Sequence, residues 1–416
     1  MGGFAVNRLY DLIIIGAGAA GLFAAANAPI GWKTLVLEKT DTPGQKLLLA
    51  GSGQCNLTNH EPIGAFLARY GENGKRLRPV LFPFSNLALM AYFEANALPL
   101  RIREDGKVFP ASMKSGDVLA RLLSLSRDRG VVFRYGADVT ELKALTGPGE
   151  GGFTLETAKE SFSAKRVLVA TGGASYPRTG SDGTFFVRLE RLGLDLVPRR
   201  PALTPIFVRE YPYRELSGLT FPHCAVGITG RDGGGPTRVT GSVLFTHKGF
   251  SGPAILALSR YAAQGDRLTI DYLPHKSADN LRRTLLQDAA GDSRQIVTLL
   301  ESVTGLPQRF LRHICHSTGI AADEKASRLT GREMGALVER LTADSYEISG
   351  TGGFDLAMTT AGGVSLEEID LRTMEAKNHL GLYFAGEVLD VDGDTGGYNL
   401  QFAFSSAMRA VVAMQA

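Results

Sequence analysis

The stretch Leu9–Gly21, LYDLIIIGAGAAG, decides the fold of this chain. Its first half, Leu9–Ile15, is a β-branched, apolar run that is typical of a parallel strand buried on both faces. The run continues directly into Gly16-Ala17-Gly18-Ala19-Ala20-Gly21, a GxGxxG pattern, and an alanine-rich segment that we expect to be helical follows to about Ala28. A second predicted strand, KTLVLEK at Lys33–Lys39, completes a βαβ unit.

The glycine spacing in this unit is that of a dinucleotide site. Gly16 permits the tight turn, Gly18 lets the backbone approach a pyrophosphate, and Gly21 lets the helix pack closely on the strand. The helix N-terminus offers free N–H groups and partial positive charge to the phosphates. Glu38, about 20 residues downstream, is placed to accept hydrogen bonds from the ribose hydroxyls. A carboxylate there disfavours a 2′-phosphate, so NADP is not expected at this site.

The same region also has the length and apolar character of a membrane span over Leu12–Ile30. However, Gly16, Gly18, Gly21 and Pro29 interrupt it. Interruptions of this kind favour a buried strand followed by a buried helix. We therefore expect no membrane segment here.

Length and charge bound the remaining possibilities. The chain has 416 residues, of which 44% are hydrophobic, and this suggests two or three domains. The formal net charge is only +3, and the densest basic pairs, Arg199-Arg200 and Arg282-Arg283, are short. Without a concentrated basic face or a known nucleic-acid module, we expect a small-molecule substrate and no nucleic-acid partner. The oligomeric state is left open.

The three cysteines, Cys55, Cys224 and Cys315, are far apart and form no CxxC pair. Neither a disulfide framework nor a zinc cluster is therefore expected, and no metal site is predicted. Met1–Tyr10 contains glycines and polar residues rather than the apolar core of a signal peptide. Together these features favour a reducing, cytoplasmic setting.

Two further strand-and-glycine patterns choose between FAD and NAD. The run RVLVA at Arg166–Ala170 ends in Thr171-Gly172-Gly173, and GLYFA at Gly381–Ala385 ends in Gly386-Glu387. Each places a backbone loop at the carboxyl edge of a sheet, where ligands bind, although each is also compatible with an ordinary strand-to-helix turn. A site assembled from both ends of the chain suits FAD, because the isoalloxazine of an extended FAD lies far from its adenine.

A final helix is predicted from about Tyr398 to Met414, directly after Gly396-Gly397. Its N-terminus can stabilise negative charge at the N1–C2=O edge of a reduced flavin. The two glycines would allow the backbone to approach the ring closely.

Several longer motifs are spread along the chain. They are IIIGAGAAG (Ile13–Gly21), GQKLLLAGSGQCNLTN (Gly44–Asn59), VFP (Val108–Pro110), ATGGASYPRTGSDG (Ala170–Gly183), LFTHKGFSGPAIL (Leu244–Leu256), TAGGVSLEEID (Thr360–Asp370) and FAGEVLDVDGDTGGYNLQFAFSSA (Phe384–Ala407). On these motifs the chain resembles the BaiN/YhiN-like NAD(P)/FAD-dependent oxidoreductase family, also called aminoacetone oxidase family FAD-binding enzymes. The resemblance covers nearly the whole chain.

This resemblance implies an α/β fold, in which a Rossmann-like FAD-binding domain is interrupted by an inserted β-rich, barrel-like domain and a small helical domain. The expected bounds are 1–197 and 352–416 for the FAD-binding domain, 198–278 and 333–351 for the β-rich insertion, and 279–332 for the helical subdomain. The resemblance also implies that Glu387 contacts the ribityl chain and that Ser52, Gly53, Cys55 and Asn56 lie beside the cofactor. One departure is a short Gly180-Ser181-Asp182-Gly183 run where the family commonly has a longer one, which puts contacts from this loop in doubt.

The residues that we expect around FAD come from both ends of the chain. They are Gly16, Gly18, Ala19, Ala20, Gly21, Glu38, Lys39, Lys46, Ser52, Gly53, Cys55, Asn56, Val139, Thr171, Gly172, Gly173, Gly386, Glu387, Gly397, Tyr398, Asn399 and Leu400.

The middle of the chain carries its own signals. Prolines in Val197–Pro201 end a helix predicted over Asp182–Leu192 and mark a linker. Strands are then expected at Cys224–Gly230, Thr237–Thr246, Arg267–Leu273 and Ser345–Ser349, with a turn at Gly233-Gly234-Gly235. Helices are expected at Ser251–Ala263, with Ser251 near its N-cap, across Asp279–Ser317 and at Arg332–Leu341.

These features predict an FAD-dependent oxidoreductase that transfers a hydride between a small organic substrate or NAD(P)H and flavin. No second GxGxxG follows a strand between Pro201 and Gly350, so NAD(P)H would visit the flavin transiently. The alternative is an oxidase, in which the organic substrate donates the hydride to flavin and oxygen accepts it. His247 is a possible acid or base, although a loop hydrogen bond is the commoner role for such a histidine. A flavin monooxygenase and a non-catalytic FAD-binding protein remain alternatives.

Overall fold

The computed structural model describes residues 9–145, 151–230 and 237–416. The strands in these ranges are β1 (Leu9–Ile15), β2 (Thr34–Leu37), β3 (Thr58–Asn59), β4 (Leu100–Ile102), β5 (Lys107–Pro110), β6 (Val132–Arg134), β7 (Val139–Ala144), β8 (Phe153–Thr157), β9 (Ser161–Val169), β10 (Leu196–Ala202), β11 (Ile206–Val208), β12 (Thr220–Thr229), β13 (Thr237–Phe245), β14 (Phe250–Ser251), β15 (Arg267–Asp271), β16 (Asp344–Thr351), β17 (Thr359–Val364), β18 (Ile369–Asp370), β19 (Glu375–Ala376) and β20 (Leu382–Phe384).

The α-helices in the same ranges are α1 (Ala19–Ala26), α2 (Gln45–Leu49), α3 (Ile63–Phe66), α4 (Arg78–Leu81), α5 (Asn86–Ala95), α6 (Ser115–Asp128), α7 (Phe186–Arg191), α8 (Pro253–Leu258), α9 (Ala278–Ala289), α10 (Ile296–Thr304), α11 (Gln308–Ser317), α12 (Gly331–Thr342), α13 (Gly353–Leu356) and α14 (Tyr398–Ala413). The predicted Gly233–Gly235 turn lies outside the described residues, as do residues 1–8, which carry most of the argument against a signal peptide.

The chain forms two compact units. Unit 1 comprises Met1–Ala202 and Phe354–Ala416, and unit 2 comprises Leu203–Gly353. The predicted α/β class is confirmed: unit 1 is Rossmann-like and unit 2 contains a barrel. The finer domain bounds given above stay a prediction.

The main sheet of unit 1 is built around β1. Strands β20, β9, β1, β2 and β6 lie side by side and parallel in that order, and the antiparallel β19 and β18 extend the β20 edge. Residues Leu12–Ile15 of β1 are buried, as expected for a strand covered on both faces. Because the parallel strands share one direction, the loops after β1, β2, β9 and β20 meet at one edge of the sheet.

Helix α1 is a buried helix rather than part of a membrane span. Every residue from Ala20 to Ala26 is buried, and the helix packs against α6 and α14. The apolar stretch thus divides into β1, the glycine turn and α1. Among the described residues, the helices are too short or too polar to cross a bilayer.

The interpretation of Val197–Pro201 as a linker is wrong. These residues belong to β10, which pairs antiparallel with β17. The register shifts between Val197 and Arg200, so the ribbon contains a bulge around Pro198. Prolines are tolerated at bulges and on strands with a free edge, which explains how this strand accommodates two of them.

Two predicted helices differ at their N-termini. Ser251 is not the N-cap of α8, because it pairs with Leu244 in the β13–β14 ladder and Gly252, with φ +93°, takes the cap position. That helix also ends at Leu258 rather than at Ala263. Helix α7 begins at Phe186 rather than at Asp182. The Asp182 side chain instead accepts hydrogen bonds from the backbone N–H and hydroxyl of Thr184, which forms a local turn.

Unit 2 is a closed barrel with helices packed on it. Within the described ranges the barrel order is β11-β14-β13-β12-β15-β16. The barrel and α9–α12 share one cluster of buried apolar residues. Helix α12 begins with a capping box in which Thr330 and Glu333 exchange hydrogen bonds.

A buried carboxylate lies inside unit 2. Asp344 Oδ2 accepts hydrogen bonds from the hydroxyls of Tyr213 at 2.5 Å, Tyr272 at 2.9 Å and Tyr346 at 2.9 Å. Arg340 Nη1 lies 2.5 Å from Asp344 Oδ1. Burial raises the pKa of Asp344, and the Arg340 charge and the tyrosine hydroxyls oppose that rise. The carboxyl group is thus the shared acceptor of three buried tyrosine hydroxyls and the ion-pair partner of the partly exposed Arg340.

We expect Asp344→Ala to destabilise the protein strongly. The change leaves Arg340 and three hydroxyls without their acceptor, and breaking a buried pair from one side typically costs about 3–5 kcal/mol. Urea unfolding followed by far-ultraviolet circular dichroism measures the effect. Asp323→Ala, at an exposed carboxylate, is the control and should change stability by less than about 0.5 kcal/mol. Equal midpoints for both variants would contradict this account.

Candidate FAD site at the carboxyl edge of the main sheet

The three glycines of the GxGxxG turn have different structural roles. Gly16 has φ +99°, and a Cβ there would lie 2.5 Å from the Ala170 carbonyl oxygen. A Cβ at Gly21 would lie 1.9 Å from the Gly16 oxygen. In contrast, a Cβ at Gly18 would meet no atom of the described residues within 4 Å. Gly16 and Gly21 are therefore required by the fold, whereas the space above Gly18 is open for a ligand.

The N-terminus of α1 faces this open space. Gly18 is its N-cap, and in the described part of the chain no side chain caps it. The first turn, which includes Ala19 and Ala20, carries no acidic residue. An uncapped helix N-terminus with free N–H groups is suited to a phosphate.

Glu38 lies beside this turn at the end of β2. Its Oε2 accepts a hydrogen bond from the Ala17 N–H at 2.6 Å. Its Oε1 accepts from the N–H and the hydroxyl of Thr40, both at 2.8 Å. The side chain is buried, so these bonds hold the carboxylate in one orientation next to the glycine turn. This is the position expected for the ribose acceptor.

The short loop after Gly180 packs against the same corner. A Cβ at Gly180 would lie 2.9 Å from the Thr40 side chain. Lys39 Nζ lies 2.5 Å from Asp182 Oδ2 and 3.1 Å from Thr184 Oγ1. Burial acts to raise the pKa of Asp182, but hydrogen bonds from Lys39 and Thr184 outweigh it and lower that pKa. The shortened loop is therefore held beside Glu38 by an ion pair.

A polar cluster joins the two ends of the chain. Lys46 Nζ, on α2, lies 2.7 Å and 2.9 Å from the two carboxylate oxygens of Glu387, which follows β20. Ser175 Oγ lies 2.5 Å from Lys46 Nζ and donates to Glu387 Oε1 at 2.7 Å. The Thr360 N–H also donates to Glu387 Oε1, at 3.0 Å. The carboxylate is thus fixed by three separate segments.

Gly172 and Gly173 lie inside the same arrangement. A Cβ at Gly173 would lie 2.3 Å from Thr360 Oγ1 and 2.7 Å from Glu387 Oε1. A Cβ at Gly172 would lie 2.9 Å from Ser181 Oγ. The glycines are needed because the loop after β9 passes directly over these side chains. Gly386, with φ +76°, makes a comparable turn after β20.

The loop that follows α2 is strained. Gly51, Ser52, Gly53 and Cys55 all have positive φ, at 57°, 57°, 84° and 61°. Positive φ is costly for non-glycine residues, and strain of this kind clusters at functional sites. Asn56 follows directly, and its buried Oδ1 has no hydrogen-bond partner among the described residues.

The N-terminus of α14 lies at the same edge. Gly397, with φ +99°, is its N-cap, and a Cβ there would lie 2.6 Å from the Thr58 backbone. The Tyr398 side chain is buried, and its hydroxyl donates to Glu61 Oε1 at 2.8 Å. Asn399 exchanges hydrogen bonds with the Gly393 backbone at 2.8 Å and 2.9 Å. Leu400 continues the first turn.

The residues present fit FAD. Besides Asn56 Oδ1, the hydroxyl oxygens of Thr171 and Ser181 are buried and lack a partner within the described ranges. We call the open space bounded by these loops and by the N-termini of α1 and α14 the cradle. Buried polar atoms are normally hydrogen-bonded, so unpaired atoms around it indicate a polar ligand. The cradle combines two helix N-termini, a ribose-type carboxylate and loops from both ends of the chain, as an extended dinucleotide requires.

Most of the expected cofactor residues come together at this edge. Val139 is buried at the start of β7, two residues after Ala137, whose N–H donates to the Glu38 carbonyl oxygen at 2.8 Å. His247 belongs to unit 2, where it is exposed in the turn between β13 and β14. Its role as an acid or base stays a prediction, as do the cofactor contacts of the individual residues.

Sequence analysis missed Ser175, Ser181 and Thr360. All three lie inside motifs already quoted, and a hydroxyl group within two residues of a glycine was the available signal. The absence of a metal site stays a prediction. In the described ranges, no group of three or more His, Cys, Asp or Glu side chains is arranged to hold one.

We expect Gly18→Val to abolish tight FAD binding and leave the fold intact. The protein has room for the new side chain, whereas a pyrophosphate on α1 does not, so the dissociation constant should rise at least ~10-fold. Fluorescence titration of the apoprotein with FAD measures it. Gly151→Val, at another open glycine, is the control. Unchanged FAD affinity in Gly18→Val would exclude the pyrophosphate from this position.

We expect all three cysteines to be inert in the native protein. Burial raises the pKa of Cys55 and Cys224 to about 12 and that of Cys315 to about 11. Because the thiolate is the reactive form, titration with Ellman's reagent at about pH 8 should detect no thiol in the native protein and three after denaturation. Rapid reaction of Cys55 would instead point to a redox role beside the cofactor.

Comparison with known proteins agrees with this geometry. The HI0933-like protein Rossmann domain family matches residues 10–413. A protein of Escherichia coli strain K12 named ribosomal RNA dihydrouridine synthase is 32% identical over 400 residues, which cover 96% of each chain. A Clostridium scindens protein named 3-dehydro-bile acid delta(4,6)-reductase is 30% identical, over 95% of this chain and 97% of its own length.

A solved structure supports the fold alone. The 3-ketosteroid-delta4-(5alpha)-dehydrogenase of Rhodococcus jostii RHA1 aligns with 98% of this chain and 97% of its own, with a TM-score of 0.53 and 17% identity. The matches to the family and to the full-length relatives carry the assignment. This chain belongs to the HI0933-like Rossmann family and is an FAD-dependent oxidoreductase.

Proposed function

We propose that this protein reduces the C5=C6 bond of uridine in ribosomal RNA to give dihydrouridine. The observation that carries the proposal is the 32% identity to the Escherichia coli ribosomal RNA dihydrouridine synthase over 96% of both chains. A Haemophilus influenzae protein of the same name is 30% identical over 97% of this chain. Similarity over the full length includes both units, so it extends beyond the FAD cradle.

The chemistry implied by the relatives' names is uniform. Dihydrouridine differs from uridine by two hydrogens across a double bond conjugated to a carbonyl group. A 3-dehydro-bile acid with Δ4,6 unsaturation also carries double bonds conjugated to a carbonyl. Both names therefore describe addition of one hydride and one proton to an electron-poor carbon–carbon double bond. This favours a reductase over an oxidase or a monooxygenase.

FAD, when bound, supplies the hydride for this addition. The chain's own residues hold and orient the reacting groups. The α1 N-terminus and Glu38 would hold the adenosine diphosphate half, whereas Lys46 and Glu387 would hold the chain that leads to the ring. The α14 N-terminus would stabilise negative charge at the ring's N1–C2=O edge. A proton donor for the substrate carbon is also required.

NAD(P)H is the proposed source of electrons. The GxGxxG unit at β1 carries the features of the FAD site, and the sequence contains no second such unit after a strand between Pro201 and Gly350. The nicotinamide would therefore visit the flavin and leave before the substrate binds. Binding in this order would let NAD(P)H and the substrate to be reduced use the same side of the flavin ring.

This proposal departs from the expectation of a small-molecule substrate and no nucleic-acid partner. That expectation depended on the absence of a basic run in the sequence. A ribosomal RNA substrate also requires a cytoplasmic protein, which agrees with the cytoplasmic setting expected from three unpaired cysteines. A small enone is the alternative substrate, favoured by the identity to the bile-acid reductase.

We expect the protein to restore dihydrouridine in an Escherichia coli strain that lacks its similar protein. Nuclease digestion of the ribosomal RNA and mass spectrometry detect the two added hydrogens. In vitro, anaerobic protein reduced with NADPH should regain its oxidised flavin spectrum when protein-free ribosomal RNA from that strain is added. The Gly18→Val variant is the control for flavin dependence. Reoxidation by a 3-keto-4-ene steroid, and not by RNA, would replace this substrate with an enone.

A further inference from the structure

The β4–β5 hairpin of unit 1 carries cations on one face. Arg101 lies directly opposite Phe109 in the antiparallel pair, so their side chains share a face of the sheet. Arg103 is two residues further along, and its guanidinium carbon lies 5.1 Å from the centroid of the Phe109 ring. Lys107 lies two residues before Phe109 on β5 and therefore points to the same side.

This face lies against the strained loop beside the cofactor cradle. A Cβ at Gly51 would lie 3.5 Å from Phe109 Cε1, so the Phe109 ring lies next to the Gly51–Cys55 loop. The loop leads directly into β3, which pairs with β5 through Thr58 and Val108. The hairpin cations are thus at the rim of the segment that the family resemblance places next to FAD.

Lys114 adds a fourth cation at the same loop. The residue after it, Ser115, donates from its N–H to the Gly53 carbonyl oxygen at 2.8 Å. The Ser115 hydroxyl also donates to the Leu48 carbonyl oxygen at 2.9 Å. Lys114 is therefore one residue away from a direct backbone contact with the loop, and it is exposed.

These cations differ in how far they are neutralised. Arg103 and Lys107 both pair with Asp105, at 2.6 Å and 2.8 Å, so their charges are partly offset. Arg101 and Lys114 are exposed and form no ion pair with any other described residue. Two unneutralised cations beside the Gly51–Cys55 loop attract an anionic partner, and releasing counterions from nucleic-acid phosphates favours binding to such cations.

We infer that Arg101 and Lys114, with Arg103 and Lys107 behind them, bind the phosphate backbone of the RNA on either side of the uridine to be reduced. This inference rests on the proposed function, because a steroid substrate has no phosphate backbone to engage these charges. Phosphate contacts position a nucleic acid without reading its sequence. The hairpin therefore sets the position of the RNA strand on the protein, and the flavin site selects the base.

The test compares two double variants. Arg101→Ala with Lys114→Ala removes the two unpaired cations. Lys159→Ala with Lys377→Ala is the matched control, because these exposed lysines precede β9 and β20 and so lie at the opposite edge of the sheet. Both pairs remove two positive charges. FAD content and the rate of flavin reduction by NADPH should be unchanged in both.

The measurement is fluorescence anisotropy of a fluorescein-labelled, uridine-rich single-stranded RNA at increasing NaCl concentrations. Because two cations no longer neutralise RNA phosphates, the Arg101/Lys114 variant should bind roughly 10-fold more weakly at physiological salt. Its slope of log K against log salt should be shallower by about 1.4, at about 0.7 per neutralised phosphate. The control variant should match the parent in both quantities.

Two results of the binding measurement would overturn this inference. One is equal affinity and slope for the Arg101/Lys114 variant and the parent; the other is an equal loss in the control variant, which would mean that net charge alone is responsible.

Failure of the proposed function is separate. If the parent forms no dihydrouridine, the substrate assignment fails. If the Arg101/Lys114 variant forms it at the parental rate with subsaturating RNA, only the hairpin's role fails.

Discussion

The close packing of α1 on β1 is the constraint on which the rest of the structure depends. Only a glycine fits at position 21, where any side chain would overlap the Gly16 carbonyl group. This contact brings the helix N-terminus to the carboxyl edge of the sheet and leaves the space above Gly18 open. It also explains why a stretch as apolar as a membrane span folds as two short buried elements. The nucleotide cradle is therefore a direct result of backbone sterics.

The second half of the cradle is supplied by the far end of the chain. Strand β20 pairs parallel with β9, which pairs parallel with β1, so the turn at Gly386 lies beside the first glycine turn. The Lys46–Glu387 ion pair then connects segments 341 residues apart. Its two side chains are only partly buried, so its contribution is mainly orientation rather than stability. Unit 2 folds around its own core and a separate buried carboxylate, Asp344.

Much of unit 1 was predictable, because its decisive signals are local. The run LYDLIII is β1 from end to end, and the final helix was placed within one residue at its C-terminus. The linker predicted at Val197–Pro201 was wrong, because a bulged two-stranded ribbon tolerates prolines that a central strand would not. The roles of Ser175 and Thr360 were not visible, since they depend on contacts between distant segments. The hairpin cations were hidden for a different reason. Asp105 and Glu104 lie among them in the sequence, so no basic run appears.

The central claim is that the βαβ unit at the start of the described chain holds the adenosine diphosphate half of FAD. Spectrophotometric titration of the apoprotein, first with FAD and then in parallel with FMN, tests it most directly. The account predicts saturation at one FAD per chain, with a shifted visible flavin spectrum, and negligible binding of FMN, which lacks the adenosine half. Failure to bind FAD, or equal affinity for FMN, would contradict it.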